Sequence, residues 1–363
     1  MRGLHVKAGL ILAVLGAWTV HAASDTVVVK KGEPVQGSVN KDDLDGVEVS
    51  IGGGGKMTLD VNDVVEIKWD IATQEWMEGQ REIRSGNFAD AAAAFQVMTQ
   101  PEVVRNSGIR PVMLPYIYFL AGDCLYRAGK PQDAANVLRE FMTKFPKSRY
   151  LPKVTERLVD SAIQSGQFKE VPDLLSKLKG QGAAMAAKAT CLEADMLRAQ
   201  GKADAAAAKY EEAARTAADN ETRALAKLGV ARCAVEKKDF AKAQQMAEQA
   251  LDSGDIPVVA ATAHLIIGNS LLEQANKATG DAAQELYLDA VIEFLRIPVM
   301  YGGDERTEPE SLFQAGMCFQ RLSKFPSRAS DKRRAAGLYV TLIQNYSGSS
   351  WAAQARENMK NVR

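Results

Sequence analysis

Small residues recur at matching positions from residue 73 onward, and this repetition constrains the fold more than any other feature. Each copy has a helical stretch with a small residue near its middle, a turn, and a second helical stretch that opens with alanine or valine. In most copies a bulky residue follows four positions after that opening residue. The opening residues are Ala91, Ala134, Val171, Ala206, Ala243, Ala290 and Ala335. Because helices approach closely where side chains are small, the pattern predicts stacked helical hairpins.

Successive opening residues lie 35 to 47 residues apart, around the period of about 34 that tetratricopeptide repeats have. Residues 73–363 therefore resemble a tetratricopeptide-repeat array, with the clearest copies between residues 113 and 254. The segments Phe145–Tyr150 and Tyr346–Trp351 share the pattern aromatic-x-x-Ser-x-aromatic, which is similar to repeats of bacterial periplasmic and envelope proteins. The resemblance implies a mainly α fold, a right-handed helical solenoid of about seven helix pairs that binds other proteins.

Residues 24–70 differ from the repeats because their apolar residues alternate with a period of two. The clearest runs are Val47–Ile51 and Met57–Val61, and turn signals such as Asp45-Gly46 separate the runs. Such alternation is typical of half-buried strands. We predict a small antiparallel β module of five strands, a barrel or a sandwich, that resembles SH3-like and Sm-like modules in pattern.

The first 23 residues have the composition of a secretory signal peptide. Arg2 and Lys7 give a basic start, an apolar stretch of 13 residues runs from Ala8 to Val20, and small residues follow at a cleavage site. The stretch is too short to span a bilayer as an anchor. We predict export to the periplasm or another extracytoplasmic compartment and no transmembrane segment in the mature chain. Retention of the segment as an uncleaved anchor is the alternative.

The charge balance argues against a polyanionic partner. The chain has 45 Lys and Arg residues and 45 Asp and Glu residues. Nucleic-acid binding normally requires a strong basic excess or a basic stripe, and the sequence has neither. We therefore expect other proteins or peptides as partners, and no nucleic acid.

The small number of histidines argues against an enzyme. Only His5, His21 and His264 are present, and the first two fall in the predicted signal peptide. A site made of several histidines cannot form, and neither Cys-x-x-Cys nor Gly-x-Ser-x-Gly occurs. We expect His264 to pack or to face solvent. We also expect no catalytic residue, no cofactor and no metal.

The cysteines follow the register of the repeats. Cys124, Cys233 and Cys318 each lie two residues after a small residue of a first helix, and whole repeats separate them. That separation is beyond disulfide reach. Cys191 also lies in a first helix. The sequence therefore predicts buried free thiols.

First helices line the concave face of such an array, so residues beside their small position are candidates for partner binding. A mixture of aromatic, Arg and Asn side chains suits peptide or helix capture. The candidates are Trp76, Phe119, Asp123, Tyr126, Asp195, Arg198, Arg232, Asn269 and Phe313. For each of them the alternative is packing against a neighbouring repeat.

These observations are together interpreted as an exported scaffold or adaptor for assembly or maintenance of the cell envelope. Two alternatives stay open at this point. One is a peptidoglycan-associated enzyme or a cofactor of such an enzyme. The other is a structural envelope protein that assembles into homo-oligomers.

Overall fold

The computed structural model describes residues 24–252, Gly254, residues 256–302 and residues 306–362. The chain divides into two compact units between Asp70 and Ile71. The predicted signal segment, residues 1–23, lies outside the described residues.

The described part of the first unit is built on one antiparallel sheet of five strands. The strands are β1 (Asp25–Val29), β2 (Val35–Asp43), β3 (Gly46–Ile51), β4 (Gly55–Leu59) and β5 (Val64–Lys68). They lie in the order β4-β3-β2-β1-β5. Val27 is opposite both Val35 of β2 and Ile67 of β5, and Val39 of β2 is opposite Val49 of β3. The prediction of a five-stranded antiparallel module is confirmed.

The predicted barrel is wrong, because this sheet is open. β4 and β5 lie at its two edges and do not pair with each other within residues 24–70. None of the side chains of β4 is fully buried. A closed barrel requires every strand to alternate interior and exterior side chains. The alternating sequence of β4 therefore makes an edge strand here instead of closing the sheet.

A buried carboxylate ties the sheet together. Asp25 has no exposed surface, and its side chain accepts hydrogen bonds from the backbone N–H of Val39 at 2.9 Å and of Asp70 at 3.0 Å. Because a buried charged group is costly without such donors, these bonds hold the end of the unit against β1 and β2.

The second unit contains sixteen α-helices among its described residues. The helices are α1 (Gln74–Arg84), α2 (Phe88–Met98), α3 (Pro101–Asn106), α4 (Leu114–Arg127), α5 (Pro131–Lys144), α6 (Leu151–Ser165), α7 (Val171–Lys179), α8 (Ala183–Ala199), α9 (Ala203–Thr216), α10 (Asn220–Glu236), α11 (Phe240–Asp252), α12 (Pro257–Ala275), α13 (Gly280–Met300), α14 (Glu308–Leu322), α15 (Asp331–Asn345) and α16 (Ser350–Asn358).

Most of these helices form hairpins whose two members pack on each other. The pairs are α1 with α2, α4 with α5, α6 with α7, α8 with α9, α10 with α11, α12 with α13, and α14 with α15. We call the earlier member of each pair the first helix and the later member the second helix. The predicted fold class, a helical-repeat array preceded by a small antiparallel β module, is confirmed.

A glycine on one helix makes room for a large side chain of its neighbour in five places. The pairs are Gly79 with Phe95, Gly122 with Leu138, Gly229 with Tyr210, Gly268 with Phe294, and Gly316 with Tyr339. A Cβ added to Gly268 would lie only 2.7 Å from the Phe294 ring, which is closer than real Cβ atoms come. The small positions thus have the packing role that the repeat pattern predicts.

One of these pairs crosses from one hairpin to the next. Tyr210 of α9 packs on Gly229 of α10, the first helix of the next hairpin. Ala194 is also fully buried in the same cluster. Tyr210 is therefore held between two successive repeats, which couples them directly.

The cysteines are all free thiols. Cys124, Cys233 and Cys318 are buried in first helices, as predicted. Cys191 of α8 is only half-buried, so that part of the prediction is wrong. It lines a cavity between neighbouring first helices, which is described below.

Candidate functional site

Two cavities open on the side of the array that the first helices form. The first, which we call the polar cavity, has a volume of about 380 Å³ and is lined from α8, α10, α12 and α14. The second, which we call the mixed cavity, has a volume of about 390 Å³. Its walls come mainly from α6, α8, α10 and α12. Both volumes fall within the range typical of ligand sites, roughly 300–1,000 Å³.

Paired polar groups form the wall of the polar cavity. Arg198 donates to Glu236 at 2.9 Å, and Asn269 donates through Nδ2 to Glu310 at 2.9 Å. The guanidinium of Arg232 lies 3.9 Å from the same Glu310 carboxylate. The two hydrogen bonds hold Arg198 and Asn269 in fixed positions, and Arg232 lies beside Glu310 on a third first helix. Fixed planar donors suit recognition of carbonyl or carboxylate oxygens.

The mixed cavity combines an apolar wall with charged groups at its margin. Its apolar lining includes Leu178, Met185, Leu192, Leu225 and Val258. Its charged lining includes Lys153, Glu156, Lys188, Asp195, Glu221, Arg232 and Arg306. Such a site accepts an apolar side chain in its interior and polar groups at its rim.

Arg306 forms an ion pair across the margin of the mixed cavity. Its guanidinium contacts the carboxylate of Glu156 and lies 3.3 Å from that of Asp160, both on α6. Burial raises the pKa of Asp160, and the positive charge of Arg306 opposes that effect. The pair joins residues that are about 150 positions apart in the sequence. It therefore connects the segment just before the seventh hairpin with the third hairpin.

Asp195 and Cys191 lie on the α8 wall of the mixed cavity. Asp195 accepts a hydrogen bond from the Tyr210 hydroxyl at 2.5 Å. Burial raises the pKa of the Cys191 thiol to about 12, and the nearby Asp195 carboxylate adds to the effect. A thiol that is protonated at neutral pH reacts slowly as a nucleophile, and Cys191 forms part of the cavity wall.

The structure brings four of the nine predicted binding residues together at the cavities. Arg198 and Asn269 line the polar cavity, Asp195 lines the mixed cavity, and Arg232 lines both. Arg232 therefore stands where the two cavities adjoin. All four lie on first helices, on the side that the repeat pattern indicates.

Asp123 and Tyr126 form a neighbouring cluster around Arg157. The Asp123 carboxylate accepts from Arg157 Nε at 2.7 Å, and the Arg157 guanidinium lies 4.3 Å from the centre of the Tyr126 ring. Arg157 also lies 3.8 Å from Asp160, the partner of Arg306. The cluster thus extends the charged margin of the mixed cavity toward α4.

The three remaining candidates pack against aromatic neighbours. Trp76 contacts Phe95 with ring centres 5.7 Å apart, and Phe119 stacks on Tyr150, also at 5.7 Å. Phe313 is buried and lies between two aromatic rings, those of Tyr339 and Trp351. These three side chains therefore pack within the array, which is the alternative to partner binding given for each candidate.

Several cavity residues were missed from the sequence. Glu310 and Glu236 lie on first helices and line the polar cavity, but the repeat pattern did not single them out. Arg306 lies in a connection and Glu156 at a position without aromatic neighbours in sequence. Only the return of the chain onto α6 makes them functional candidates, and no local pattern signals that return.

Among the described residues, no metal-binding cluster accompanies the cavities. Within the described residues, no group of three or more His, Cys, Asp and Glu side chains is arranged to hold a metal ion. His264 is buried, with Nδ1 2.7 Å from Glu293 and its ring against Tyr301. This is the packed histidine that the sequence analysis expected. Among the described residues no helix is both long and apolar enough to cross a bilayer.

Tetratricopeptide-repeat profiles match two parts of the chain. One matches residues 116–148, which include most of α4 and all of α5. The other matches residues 231–294, which run from the end of α10 into α13. No curated protein matches the chain.

Solved structures of repeat proteins are similar to the chain at low identity. A tetratricopeptide repeat protein from Parabacteroides merdae is 11% identical, with a TM-score of 0.46 over 80% of this chain and 97% of that one. PilF from Pseudomonas aeruginosa is 18% identical, with a TM-score of 0.36 over 67% and 97%. A signal-transduction ATPase from Pyrococcus horikoshii with a tetratricopeptide repeat sensor is 13% identical, with a TM-score of 0.42 over 80% and 48%.

These structural similarities are too low to carry an argument about function. The two profile matches coincide with hairpins that the repeating small residues also identify. The chain therefore contains tetratricopeptide repeats within residues 116–148 and 231–294.

Proposed function

We propose that this protein is a scaffold that binds an extended segment of a partner protein along its inner surface. By inner surface we mean the polar cavity, the mixed cavity and the first-helix residues that line them. Tetratricopeptide repeats support a role in protein–protein interaction, and the two cavities supply the place where a partner would bind. The extended form of the partner segment, the use of these cavities and the envelope role belong to the proposal.

The position of Arg232 is the observation that carries the proposal. Arg232 lines both cavities, so a single bound segment can contact it while occupying either side. Its distance of 3.9 Å from Glu310 is too long for a hydrogen bond. The guanidinium can therefore donate to a carbonyl or carboxylate of a ligand without first breaking a close bond within the protein.

The two cavities suit different parts of one segment. An apolar side chain fits the wall that includes Leu178, Leu192 and Leu225. Burial of apolar surface there stabilises binding by about 25 cal/mol per Å² before the entropy cost of ordering the segment. Polar groups of the segment meet Arg198 and Asn269 in the polar cavity. The combination favours a flexible segment that carries apolar and polar residues in succession.

The test uses peptides that are selected from a random displayed library for binding to the mature chain. Arg232→Ala removes the shared donor, so the affinity of the selected peptides falls about tenfold or more, as at an interface hot spot. Isothermal titration calorimetry measures the change in Kd.

Arg215→Ala is the matched control. Arg215 is an exposed arginine on α9, a second helix, and it lines neither cavity. The proposal requires unchanged affinity in this variant. Equal affinity in the wild type and in Arg232→Ala would contradict it, as would selection of peptides that bind residues 24–70 instead.

We also propose that the protein works outside the cytoplasm, in assembly or maintenance of the cell envelope. The basic start, the short apolar stretch and the small residues around Ala22 support export, and the two aromatic-x-x-Ser-x-aromatic segments support the envelope setting. N-terminal sequencing of the protein recovered from an extracytoplasmic extract tests the location. Cleavage near Ala23 is the expected result, and an intact Met1 on a cytoplasmic protein would contradict the proposal.

A further inference from the structure

The last repeats of the array contact the early ones through their backbones. Gly348, in the turn between α15 and α16, lies against the turn between α4 and α5. A Cβ added to Gly348 would overlap backbone atoms of Arg127, Ala128 and Gly129. A Cβ added to Gly129 would in turn lie 2.5 Å from the Gly348 carbonyl oxygen. Neither turn leaves room for a side chain between them.

The ion pair of Arg306 makes a second connection between the same two regions. Arg306 precedes α14, whereas its partners Glu156 and Asp160 lie on α6. Only about a fifth of the Asp160 side chain is exposed, and burial disfavours a charged carboxylate. Nearby positive charge is therefore needed to stabilise the ionised form. The ion pair and the glycine contact together join α4–α6 to α14–α16.

The mixed cavity lies where this return of the chain occurs. Glu156 belongs to its wall from the early repeats, and Arg306 and Thr307 belong to its wall from the late repeats. Separation of the two regions removes one wall and opens the cavity on that side. Access to the cavity therefore depends on contacts between the early and the late repeats, one of them at its margin.

We propose that the contact of Gly348 with the turn at Gly129 is a clasp that controls entry into the mixed cavity. With the clasp closed, Arg306 and Thr307 narrow the cavity on one side; with the clasp open, an extended segment of a partner enters. The occupant rests on the proposed function, whereas the opening is a property of this chain alone. Such control requires two forms of the array whose populations a mutation or a ligand can shift.

Gly348 is a suitable place to perturb the clasp alone. Its backbone is not in the left-handed region, so alanine is compatible with the local conformation. The three atoms nearest the added Cβ all belong to the opposite turn, so the closed form becomes unfavourable. Gly337 of α15 provides the control, because an added Cβ there meets no atom within 4 Å.

Cys191 reports on the cavity without any partner. It lines the mixed cavity, whereas the other three cysteines are buried in first helices. The rate at which N-ethylmaleimide labels the folded chain therefore measures access to the cavity. The charge of Arg306 lowers the pKa of Cys191, against the dominant effect of burial. Loss of that charge would by itself slow labelling, so faster labelling after Arg306→Gln indicates opening.

The experiment compares labelling of Cys191 in the full chain for four proteins. We expect Gly348→Ala to react about tenfold faster than the wild type, which corresponds to about 1.4 kcal/mol taken from the closed form. Arg306→Gln also reacts faster, and Gly337→Ala reacts at the wild-type rate. Mass spectrometry counts the labels, because a misfolded variant takes up label at the buried cysteines as well.

Two outcomes would overturn the clasp. The first is labelling of folded Gly348→Ala at the wild-type rate. If Gly348→Ala misfolds, the second outcome is slower labelling of Cys191 in Arg306→Gln than in the wild type. Failure of the proposed function is a separate result, since loss of peptide binding in every protein would leave the labelling rates unaffected.

Discussion

The hairpin of α12 and α13 and the hairpin of α6 and α7 are the same repeat stabilised in two different ways. α13 has 21 residues and inserts Phe294 against Gly268 of α12. α7 has nine residues, and α6 contains no glycine to receive a large side chain. The short hairpin instead buries aliphatic residues of ordinary size, such as Val171 and Leu175.

The difference teaches that stability is distributed unevenly along the array. An aromatic ring buries more surface than an aliphatic side chain, and the α12–α13 core continues through α14, α15 and α16. In a repeat protein each hairpin is supported mainly by its neighbours. The short hairpin supplies Glu156 and Leu178 to the mixed cavity, so the cavity is built partly on the less stabilised repeat.

The largest effect is expected where the long hairpin loses its ring. Phe294 has no exposed surface. Phe294→Ala removes a buried aromatic side chain and leaves a cavity, so the free energy of unfolding falls by about 3–5 kcal/mol. Urea unfolding followed by circular dichroism measures the loss. A smaller loss than in Leu175→Ala, the variant of the short hairpin described next, would contradict the greater stabilisation of the long hairpin.

A smaller loss is expected in the short hairpin. Leu175 is buried between α6 and α8, and Leu175→Ala lowers the free energy of unfolding by about 2–3 kcal/mol, near the lower end for leucine. The nine-residue helix can move to fill part of the space. Hydrogen exchange should show faster opening of α6 and α7 with little change in α13. Equal acceleration throughout the array would indicate a single cooperative unit.

The contact between Gly268 and Phe294 in the long hairpin is tested by a larger side chain at position 268. Gly268→Ala places a Cβ 2.7 Å from Phe294, and the resulting overpacking lowers the free energy of unfolding by about 1–3 kcal/mol. Adding Phe294→Leu to this variant makes room again, so the two changes together should cost less than their sum. Strict additivity in thermal unfolding would contradict direct contact between the two positions.

The smallest effect concerns an exposed ion pair that links the short hairpin to its predecessor. Arg139 of α5 donates through Nε to the carboxylate of Glu170 at 2.8 Å, and these hydrogen bonds lower the pKa of Glu170. Both side chains are more than a third exposed, so solvent screening limits the cost of Arg139→Gln to about 0–1 kcal/mol.

The sign of the pH dependence follows from the lowered pKa of Glu170. The ion pair stabilises the fold above the unfolded pKa of about 4.3 and loses this contribution as pH falls through the folded value. The difference in melting temperature between wild type and Arg139→Gln should therefore shrink on acidification from pH 7 to pH 3. A difference that grows over this range would contradict the assignment of the pair.

The repeats could be predicted from the sequence because their physical cause is local. A glycine or alanine and a bulky residue such as Phe95 recur at fixed distances, and the same spacing places Arg198 and Arg232 on one side of successive first helices. The partner of Tyr210 was not predictable in this way. Its choice of Gly229 depends on how closely the next hairpin approaches, which the spacing does not contain.

Features that depend on accumulated geometry were out of reach of the sequence. Closure of the β sheet depends on how far five strands twist and coil, and alternation of apolar residues is the same in an open sheet. The contact of Gly348 with Gly129 and the ion pair of Arg306 depend on small rotations summed over many repeats. For the same reason the Arg306 side of the mixed cavity could not be predicted from any single repeat.

Hydrogen exchange of the chain with and without a selected peptide tests the central claim most directly. The account predicts slower exchange in α8, α10 and α12 on peptide binding, because these first helices line both cavities. The exposed faces of α11 and α13 should exchange as before. Protection confined to second helices, or to residues 24–70, would contradict binding on the inner surface.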